Sequence, residues 1–374
     1  MSDQRIHAGL HIPDLSITGF RGIARLSIAR LGRVTLLTGR NGAGKTTVLE
    51  AVRVYAARAR PSVLHDVLER REELAAALDE DQDPVVFPDY AALFHGRVGT
   101  HGQSITLGPT GGTDDLRIEV STLPAQGSLF GDQPARMQAI KIEYRGEERL
   151  LPWFLPASER NRSWARRRYV WDLHRAWRND DTEWPIIECE TLGPGLPSNN
   201  RIARLWDNVT LTDAEDLSID ALRLIGDDVD RVAVVSDDQR SHRRRVVVKL
   251  KNQARPVPLK SLGDGVPRMF AAGLALANSR DGFLVVDEAE NGFHHSVQRD
   301  FWRTVLRAAQ QNNVQVLATT HSWDCVRGFA QAATETGDVA GALVRLDRDG
   351  EDVRPVEYTE EDLETIAEQG IEVR

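Results

Sequence analysis

A glycine-rich octapeptide limits what this chain can fold into more than any other stretch. Its residues are Gly39-Arg40-Asn41-Gly42-Ala43-Gly44-Lys45-Thr46. They match the pattern G-x-x-x-x-G-K-[ST], in which a loop wraps around phosphate groups. Val34–Thr38, just before it, predicts a buried strand, and residues 47–52 predict the start of a helix. In that setting the loop N–H groups and the positive end of the helix face the phosphates, which an ordinary glycine turn does not offer.

The chemistry of the loop predicts a role for each residue type. Lys45 would place a positive charge at the β- and γ-phosphates, and the Thr46 hydroxyl would ligate Mg²⁺. The glycines allow the backbone to approach the phosphates closely. The residues expected to contact nucleotide here are Arg40, Asn41, Gly42, Ala43, Gly44, Lys45, Thr46 and Thr47.

Composition adds looser bounds. A chain of 374 residues forms one large domain or two ordinary ones. Its net charge of −9 means that any nucleic-acid contact needs a local basic patch. Cys189 and Cys325 are its only cysteines, which excludes a disulfide framework and suits a reducing compartment. No signal peptide is recognisable, and the longest apolar run, 269–277, is too short to span a bilayer, so we expect a cytoplasmic protein.

Two later stretches predict the other half of a nucleotide site. Residues 282–286 are apolar and lead into Asp287 and Glu288, the form of a Walker B element. Asp287 would hold Mg²⁺, and Glu288 would orient and polarise the attacking water. His321 follows a second apolar run, 314–320, where it would sense the γ-phosphate. Each feature alone has a common structural explanation; their order after the phosphate loop favours the functional one.

A small glycine turn completes the set. Ser261, Gly263 and Gly265 precede a helix that we expect to start near residue 267, and a helix N-terminus suits a phosphate. The turn is weak evidence by itself and gains value from its position between the phosphate loop and Asp287. Residues 290–294, directly after the acidic pair, are expected at a subunit contact.

The most cationic segment lies at residues 160–178. It has seven arginines against Asp172 alone, with three tryptophans and Tyr169 between them. One interpretation is a helix that binds DNA through phosphate contacts and base stacking. The other is an amphipathic helix with buried tryptophans, which the seven-residue spacing of Trp164 and Trp171 favours.

Patterning elsewhere is ordinary. Helical periodicity occurs at 48–59, 65–81 and 201–225, and strand-like runs occur at 15–17, 24–28, 116–120, 139–144, 229–235 and 244–250.

The order of the motifs resembles the ABC-type ATPase heads of the SMC, RecF and OLD families. Residues 17–22, 39–52 and 287–295 are especially similar to RecF and OLD proteins. The resemblance, which covers roughly 12–56 and 255–330, makes the serine–glycine turn the signature motif. It implies a homodimer or higher homo-oligomer with ATP and Mg²⁺ sandwiched between protomers. One protomer would supply Lys45, Glu288 and His321; the other would supply Ser261, Gly263 and Gly265.

The resemblance also implies an architecture. The fold class is α/β, a P-loop head with a mixed sheet, an N-terminal antiparallel β subdomain and an α/β insertion between the phosphate loop and the signature. The expected ATPase core is 1–56 and 236–374, with an insertion or lid at 57–235 that contains the basic helix 160–178. The Q-loop glutamine is not assigned, because four candidates lie in the right region: Gln103, Gln126, Gln133 and Gln138.

Spacing narrows the choice within this group. No heptads are present, which argues against an SMC coiled coil, and the 87 residues after Asp287 (374 − 287) are too few for a second helicase domain. The 53 residues after His321 (374 − 321) are too few for a fused Toprim nuclease. We therefore expect an OLD-like ATPase of phage defence that regulates a separate nuclease or toxin. Two alternatives stay open: a RecF-like repair ATPase that clamps DNA, and a scaffold that binds ATP without hydrolysing it.

Overall fold

A computed structural model describes residues 9–78, 84–112, 114–123, 137–153, 184–223, 228–236, 244–337 and 339–369. The basic segment 160–178 lies outside these residues, as do Gln126 and Gln133. The strands are β1 Leu15–Phe20, β2 Ile23–Ile28, β3 Val34–Thr38, β4 Leu74–Leu78, β5 Pro84–Pro88, β6 Ser104–Gly108, β7 Leu116–Leu123, β8 Met137–Tyr144, β9 Glu147–Pro152, β10 Cys189–Leu192, β11 Val229–Ser236, β12 Arg244–Leu250, β13 Val257–Pro258, β14 Phe283–Val286, β15 Gln315–Thr319, β16 Gly341–Asp349 and β17 Asp352–Tyr358. The helices are α1 Lys45–Ala56, α2 Pro61–Glu69, α3 Asn199–Val209, α4 Asp213–Arg223, α5 Gly265–Asn278, α6 Gln298–Gln311, α7 Trp323–Glu335 and α8 Glu360–Gln369.

A six-stranded mixed sheet forms the centre, in the order β10-β14-β15-β3-β16-β17. All neighbours in it are parallel except β16 and β17, which form an antiparallel hairpin. Every residue of β3, β14 and β15 is buried, as expected for strands covered on both faces. Because parallel strands end at the same edge, the loops after β14, β15 and β3 meet there.

A second sheet is antiparallel and has the order β2-β1-β6-β7-β8-β9. Its buried face shares a hydrophobic core with α1 and α2. This core includes Ile17, Val52 and Ile142. The predicted mixed sheet and N-terminal antiparallel sheet are therefore confirmed. Residues 57–235 supply β6–β9 to this sheet and β10 to the central one; the division into core and insertion stays a prediction.

A third layer supports the serine–glycine turn. Strands β11, β12 and β13 form a three-stranded antiparallel sheet. One face of it packs on α3 and α5 around Trp206, Val248 and Phe270. The turn between β13 and α5 is thus attached to a small hydrophobic core of its own.

Three helix boundaries differ from the expected ones. Helix α1 ends at Ala56 because Arg58 and Ala59 take left-handed backbone angles (φ 52° and 50°). Pro61 then begins α2 ahead of the expected start at residue 65, as proline does at a first helical position. Leu211 (φ 62°) separates α3 from α4 within the stretch 201–225.

The helix predicted over 65–81 is confirmed at 65–69 and wrong at 74–78, and residues 79–81 lie outside the described part of the chain. Helix α2 stops at Glu69, and β4 occupies Leu74–Leu78. Glu72 is left-handed (φ 56°), and Glu73 forms an ion pair with the buried Arg21 at 2.6 Å. This long-range ion pair ends the helical path, and local periodicity does not reveal it. Among the described residues, no helix has the length and apolar character needed to cross a membrane.

Candidate functional site

The phosphate loop joins β3 to α1 at the edge where the parallel strands end. Gly42 and Gly44 have positive φ angles of 78° and 100°, which side-chain-bearing residues rarely adopt. Gly39 (φ 134°) lies so close to β16 that an added Cβ would come within 2.4 Å of the Leu346 carbonyl oxygen. The loop thus has a glycine backbone, directly before the N-terminus of α1, in the form a polyphosphate requires.

Lys45 lies folded against this loop. Its Nζ donates to the carbonyl oxygens of Gly39 (2.6 Å) and Arg40 (3.0 Å) and is 3.3 Å from Nδ1 of His321. Burial lowers the pKa of the lysine, and the negative charges of Asp287, Glu290 and Glu288 oppose that shift. The ammonium is therefore held beside an acidic cluster, with the predicted sensor histidine next to it.

Asp287 comes directly after β14 and contacts the phosphate loop. Its carboxylate accepts hydrogen bonds from the Thr46 hydroxyl at 3.2 and 3.3 Å and from the Thr319 hydroxyl at 2.6 Å. The structure brings Thr46 and Asp287 together across the fold, as the sequence predicts. A hydroxyl and one carboxylate fit Mg²⁺, because this ion takes few protein ligands and fills its shell with water and substrate phosphates.

Glu288 is held in place by Thr319 and Asn291. Its N–H donates to the Thr319 hydroxyl at 2.9 Å, and its carboxylate accepts from the Asn291 side-chain amide at 2.6 Å. The residue has a left-handed φ of 52°, unusual for glutamate. Such backbone strain clusters at functional sites, where the surrounding contacts maintain it.

Glu290 contacts the loop that follows β15 and carries His321. Its carboxylate accepts a hydrogen bond from the backbone N–H of His321 at 2.8 Å. The imidazole is exposed and faces Lys45. Residues of the loops after β14 and β15 thus meet, as the parallel sheet order requires.

Arg268, on α5, is a functional-site residue that sequence reasoning missed. Its side chain is 1% exposed, and burial lowers its pKa. It donates to the carbonyl oxygens of Pro194 (2.8 Å), Glu288 (2.8 Å) and Asp287 (3.2 Å), among others. The available signal was an arginine within the otherwise apolar stretch 266–277. This guanidinium connects α5, the helix after the serine–glycine turn, to the backbone of Asp287 and Glu288.

The serine–glycine turn lies at the surface, between β13 and α5. Ser261 lies in a short 3-10 helix, Leu259–Leu262, and is exposed. Gly263 has a φ of 91°, and α5 begins at Gly265, two residues earlier than expected. Within the described part of the chain, no hydrogen bond joins these three residues to the phosphate loop.

Arg348 is a second unforeseen neighbour of the phosphate loop. It extends from β16 and donates to the carbonyl oxygens of Gly42 (3.2 Å) and Gly22 (3.0 Å). Of the Q-loop candidates, Gln103 instead donates to the His95 carbonyl oxygen, and Gln138 lies in β8. Neither has a hydrogen bond to Thr46 or Asp287 in the described structure, so the Q-loop glutamine stays unassigned.

Comparison with known proteins shows the family of the chain. Residues 34–324 match the model of a family described as "AAA domain, putative AbiEii toxin, Type IV TA system". The chain belongs to this family. Membership makes it a P-loop ATPase-type protein, the coarser part of the predicted resemblance.

Two curated relatives match about a third of the chain. An uncharacterised protein of Methanocaldococcus jannaschii is 30% identical over 115 residues, which are 30% of this chain and 99% of that protein. The ATP/GTP phosphatase of Helicobacter pylori is 31% identical over 122 residues, which are 31% of this chain and 33% of the relative. The chain thus spans about a third of the phosphatase.

Two solved SMC heads are among the structures that align with most of the chain. The SMC head domain from Thermotoga maritima has a TM-score of 0.43 and 13% identity, covering 94% of this chain and 100% of that chain. An SMC head bound to the C-terminal winged-helix domain of ScpA has a TM-score of 0.49 and 11% identity, covering 95% and 99%.

Proposed function

We propose that this chain binds ATP with Mg²⁺ and hydrolyses it between two copies of itself, and that the nucleotide state regulates a separate effector in phage defence. The observation that carries the proposal is the meeting of three loops at one sheet edge. Thr46 contacts Asp287, and Lys45 lies 3.3 Å from His321. A polyphosphate at the helix N-terminus would contact all of them.

Binding needs only small movements of the side chains described. The loop N–H groups would hold the phosphates, and Lys45 would exchange the Gly39 and Arg40 carbonyl oxygens for the β- and γ-phosphates. Thr46 and Asp287 would hold Mg²⁺, which neutralises charge on the β- and γ-phosphates when bound.

Hydrolysis would depend on Glu288. Its carboxylate would accept a hydrogen bond from the attacking water and orient it toward the γ-phosphate. Asn291 and Thr319 hold the glutamate side chain and backbone in position for that task. His321 would donate a hydrogen bond to the γ-phosphate.

Two copies would complete each site. The exposure of Ser261, the positive φ of Gly263 and the helix start at Gly265 support a second phosphate-binding face. Placed over the ATP of another copy, this face would reach the γ-phosphate. Hydrolysis would then loosen the dimer, which gives the protein two states that a partner can distinguish.

The partner is proposed to be a nuclease or toxin on a separate chain. The toxin–antitoxin description of the family supports a role in defence. The name of the Helicobacter pylori relative supports nucleotide hydrolysis. The RecF-like alternative depends on residues 160–178, outside the described part of the chain, and stays a prediction.

The deciding experiment is light scattering of Glu288→Gln with and without ATP and Mg²⁺. We expect a doubling of mass with ATP, because the variant binds nucleotide and does not release it by hydrolysis. Lys45→Ala is the matched control and should bind no ATP and stay at its starting mass. ATP turnover by Glu288→Gln equal to that of the unmodified protein would remove Glu288 from its role. A mass indifferent to ATP would overturn the sandwich.

A further inference from the structure

Two exposed cations precede the serine–glycine turn in the chain. Arg255 precedes β13, and Lys260 directly precedes Ser261 in the short 3-10 helix. Both side chains are exposed, and neither forms an ion pair with any residue that the structure describes. We call Arg255 and Lys260 the basic rim.

A cluster of carboxylates lies at the tip of the β16–β17 hairpin. Asp349 and Asp352 are direct cross-strand partners, and Glu351 lies in the turn between them with Gly350 (φ 61°). Like charges directly opposite each other destabilise a strand pair. Within the described chain, Asp349 and Glu351 form no ion pair, and Asp352 has one exposed contact of 3.9 Å with Arg354. We call Asp349, Glu351 and Asp352 the acidic tip.

The acidic tip lies beside the phosphate loop. Arg348, its neighbour, donates to the Gly42 carbonyl oxygen in that loop and to the Gly350 carbonyl oxygen in the hairpin turn. Within the same hairpin, the Leu346 carbonyl approaches Gly39 so closely that no Cβ would fit. The basic rim and the acidic tip therefore flank the two halves of the proposed composite site.

We propose that the basic rim of one copy docks on the acidic tip of a second copy when ATP joins them. This inference rests on the proposed ATP sandwich, in which the serine–glycine turn of one copy covers the phosphate loop of the other. A two-fold axis then makes each contact twice. Docking relieves the repulsion between Asp349 and Asp352. It also sets the register of the two copies, since complementary charges mainly supply specificity and association rate.

Nucleic acid is the other polyanion that a basic rim can bind. The dimer is favoured because an acidic complement lies beside the opposite half-site, whereas the acidic tip would repel a phosphate backbone close to the phosphate loop. Binding of duplex DNA is accordingly one outcome of the test.

Charge reversal on each side tests the docking in a Glu288→Gln background with ATP and Mg²⁺. The basic-reversed chain carries Arg255→Glu and Lys260→Glu, and the acid-reversed chain carries Asp349→Lys and Glu351→Lys. Each homodimer then faces like charges at both contacts. A mixture of the two chains restores opposite charges at both, because each reversed patch meets a partner of opposite sign. Glu361→Lys with Glu364→Lys on α8 is the matched control for a change in net charge.

Sedimentation gives the dimer dissociation constant at low and moderate salt. Each reversed chain alone should dimerise about tenfold more weakly at low salt. The mixture should form heterodimers with near-original affinity, and the α8 control should be unchanged. Moderate salt should shrink these differences by screening exposed charges. A misfolded variant would not be rescued by mixing, and binding of a fluorescent ATP analogue by each chain checks the nucleotide site separately.

The outcomes separate this inference from the proposed function. If Glu288→Gln with no charge reversal fails to dimerise with ATP, the sandwich and the docking both fall. If it dimerises and both reversed chains match it, the docking alone is overturned. Loss of duplex DNA binding by the basic-reversed chain, with unchanged dimerisation, would overturn the docking and assign the rim to nucleic acid.

Discussion

At the scale of single residues, one hydroxyl connects the Asp287 carboxylate to the backbone of Glu288. Thr319 donates to the Asp287 carboxylate and accepts from the Glu288 N–H, at 2.6 and 2.9 Å. It therefore orients a predicted Mg²⁺ ligand and the backbone of the proposed catalytic glutamate together. Groups that orient metal ligands in this way contribute substantially to metal affinity.

Thr319→Val should remove this connection with little change in volume. We expect the Mg²⁺ concentration needed for ATP binding to rise about tenfold, because Asp287 loses its orienting donor. The free energy of unfolding should fall by about 1–3 kcal/mol, because buried polar groups lose their partner. Titration of ATP binding with Mg²⁺ and urea unfolding measure the two effects.

Thr334→Val serves as the control, since that hydroxyl donates to the Ala330 carbonyl oxygen within its own helix, α7. An unchanged Mg²⁺ requirement in Thr319→Val would show that Thr319 does not orient Asp287.

Arg268→Met should damage both stability and turnover. The carbonyl oxygens of Pro194, Asp287 and Glu288 would lose a buried donor, at a cost of about 3 kcal/mol in urea unfolding. We expect kcat for ATP to fall more than KM rises, because the backbone of Glu288 is released while the phosphate loop is intact. Arg303→Met on α6 is the control, because Arg303 is more exposed and pairs with Asp300 on the surface. Equal changes in both variants would deny Arg268 a positioning role.

At the scale of elements, α5 connects the two proposed faces of the site. Its N-terminus carries Gly265, its second turn carries Arg268, and its middle packs against α4 at Gly273. A Cβ on Gly273 would lie 2.8 Å from the Ala221 Cβ and 3.1 Å from the Ser218 Cα. The position of the serine–glycine turn therefore depends on a close helix–helix contact.

Gly273→Ala should push α4 and α5 apart. Overpacking should outweigh the gain in helix propensity and lower the free energy of unfolding by about 1–2 kcal/mol. The ATP-dependent dimer of Glu288→Gln should also weaken, because the serine–glycine turn moves with α5. Gly337→Ala is the control, since the nearest atom to its added Cβ is 3.8 Å away. Urea unfolding and light scattering report both effects, and a stabilised Gly273→Ala would refute the packing argument.

At the scale of the whole molecule, the nucleotide site lies between the two large sheets. Arg348 on the central sheet bridges Gly42 of the phosphate loop and Gly22 of the β1–β2 turn. Arg21 in that turn is buried against Glu50 of α1 and Glu73. A ligand in the phosphate loop should therefore stabilise the fold as a unit.

ATP with Mg²⁺ at 100 times its dissociation constant should raise the free energy of unfolding by about 2.7 kcal/mol. Lys45→Ala should show no such rise, because it lacks the cation that pairs with the phosphates. Lys141→Ala, which removes an exposed lysine paired with Glu148, should respond like the unmodified protein. Thermal and urea unfolding at several ATP concentrations measure the effect, and an equal rise in Lys45→Ala would contradict the assigned nucleotide site.

Short sequence patterns were enough to predict those features of this protein that depend on residues close together in the chain. The phosphate loop, the apolar strands β3, β14 and β15 and the carboxylates after β14 follow from short patterns, because glycine angles, strand burial and strand ends depend on neighbouring residues. Three contacts are visible only in the folded chain. Thr319 joins Asp287 to Glu288, Arg268 donates to the carbonyl oxygens of both, and Arg348 reaches the phosphate loop. The helix expected at 65–81 ends at Glu69 in the structure. Glu73 instead pairs with the distant Arg21, which local periodicity does not reveal. These contacts join residues that are distant in the chain. Strand order and side-chain burial bring those residues together, and no short sequence pattern encodes either of them.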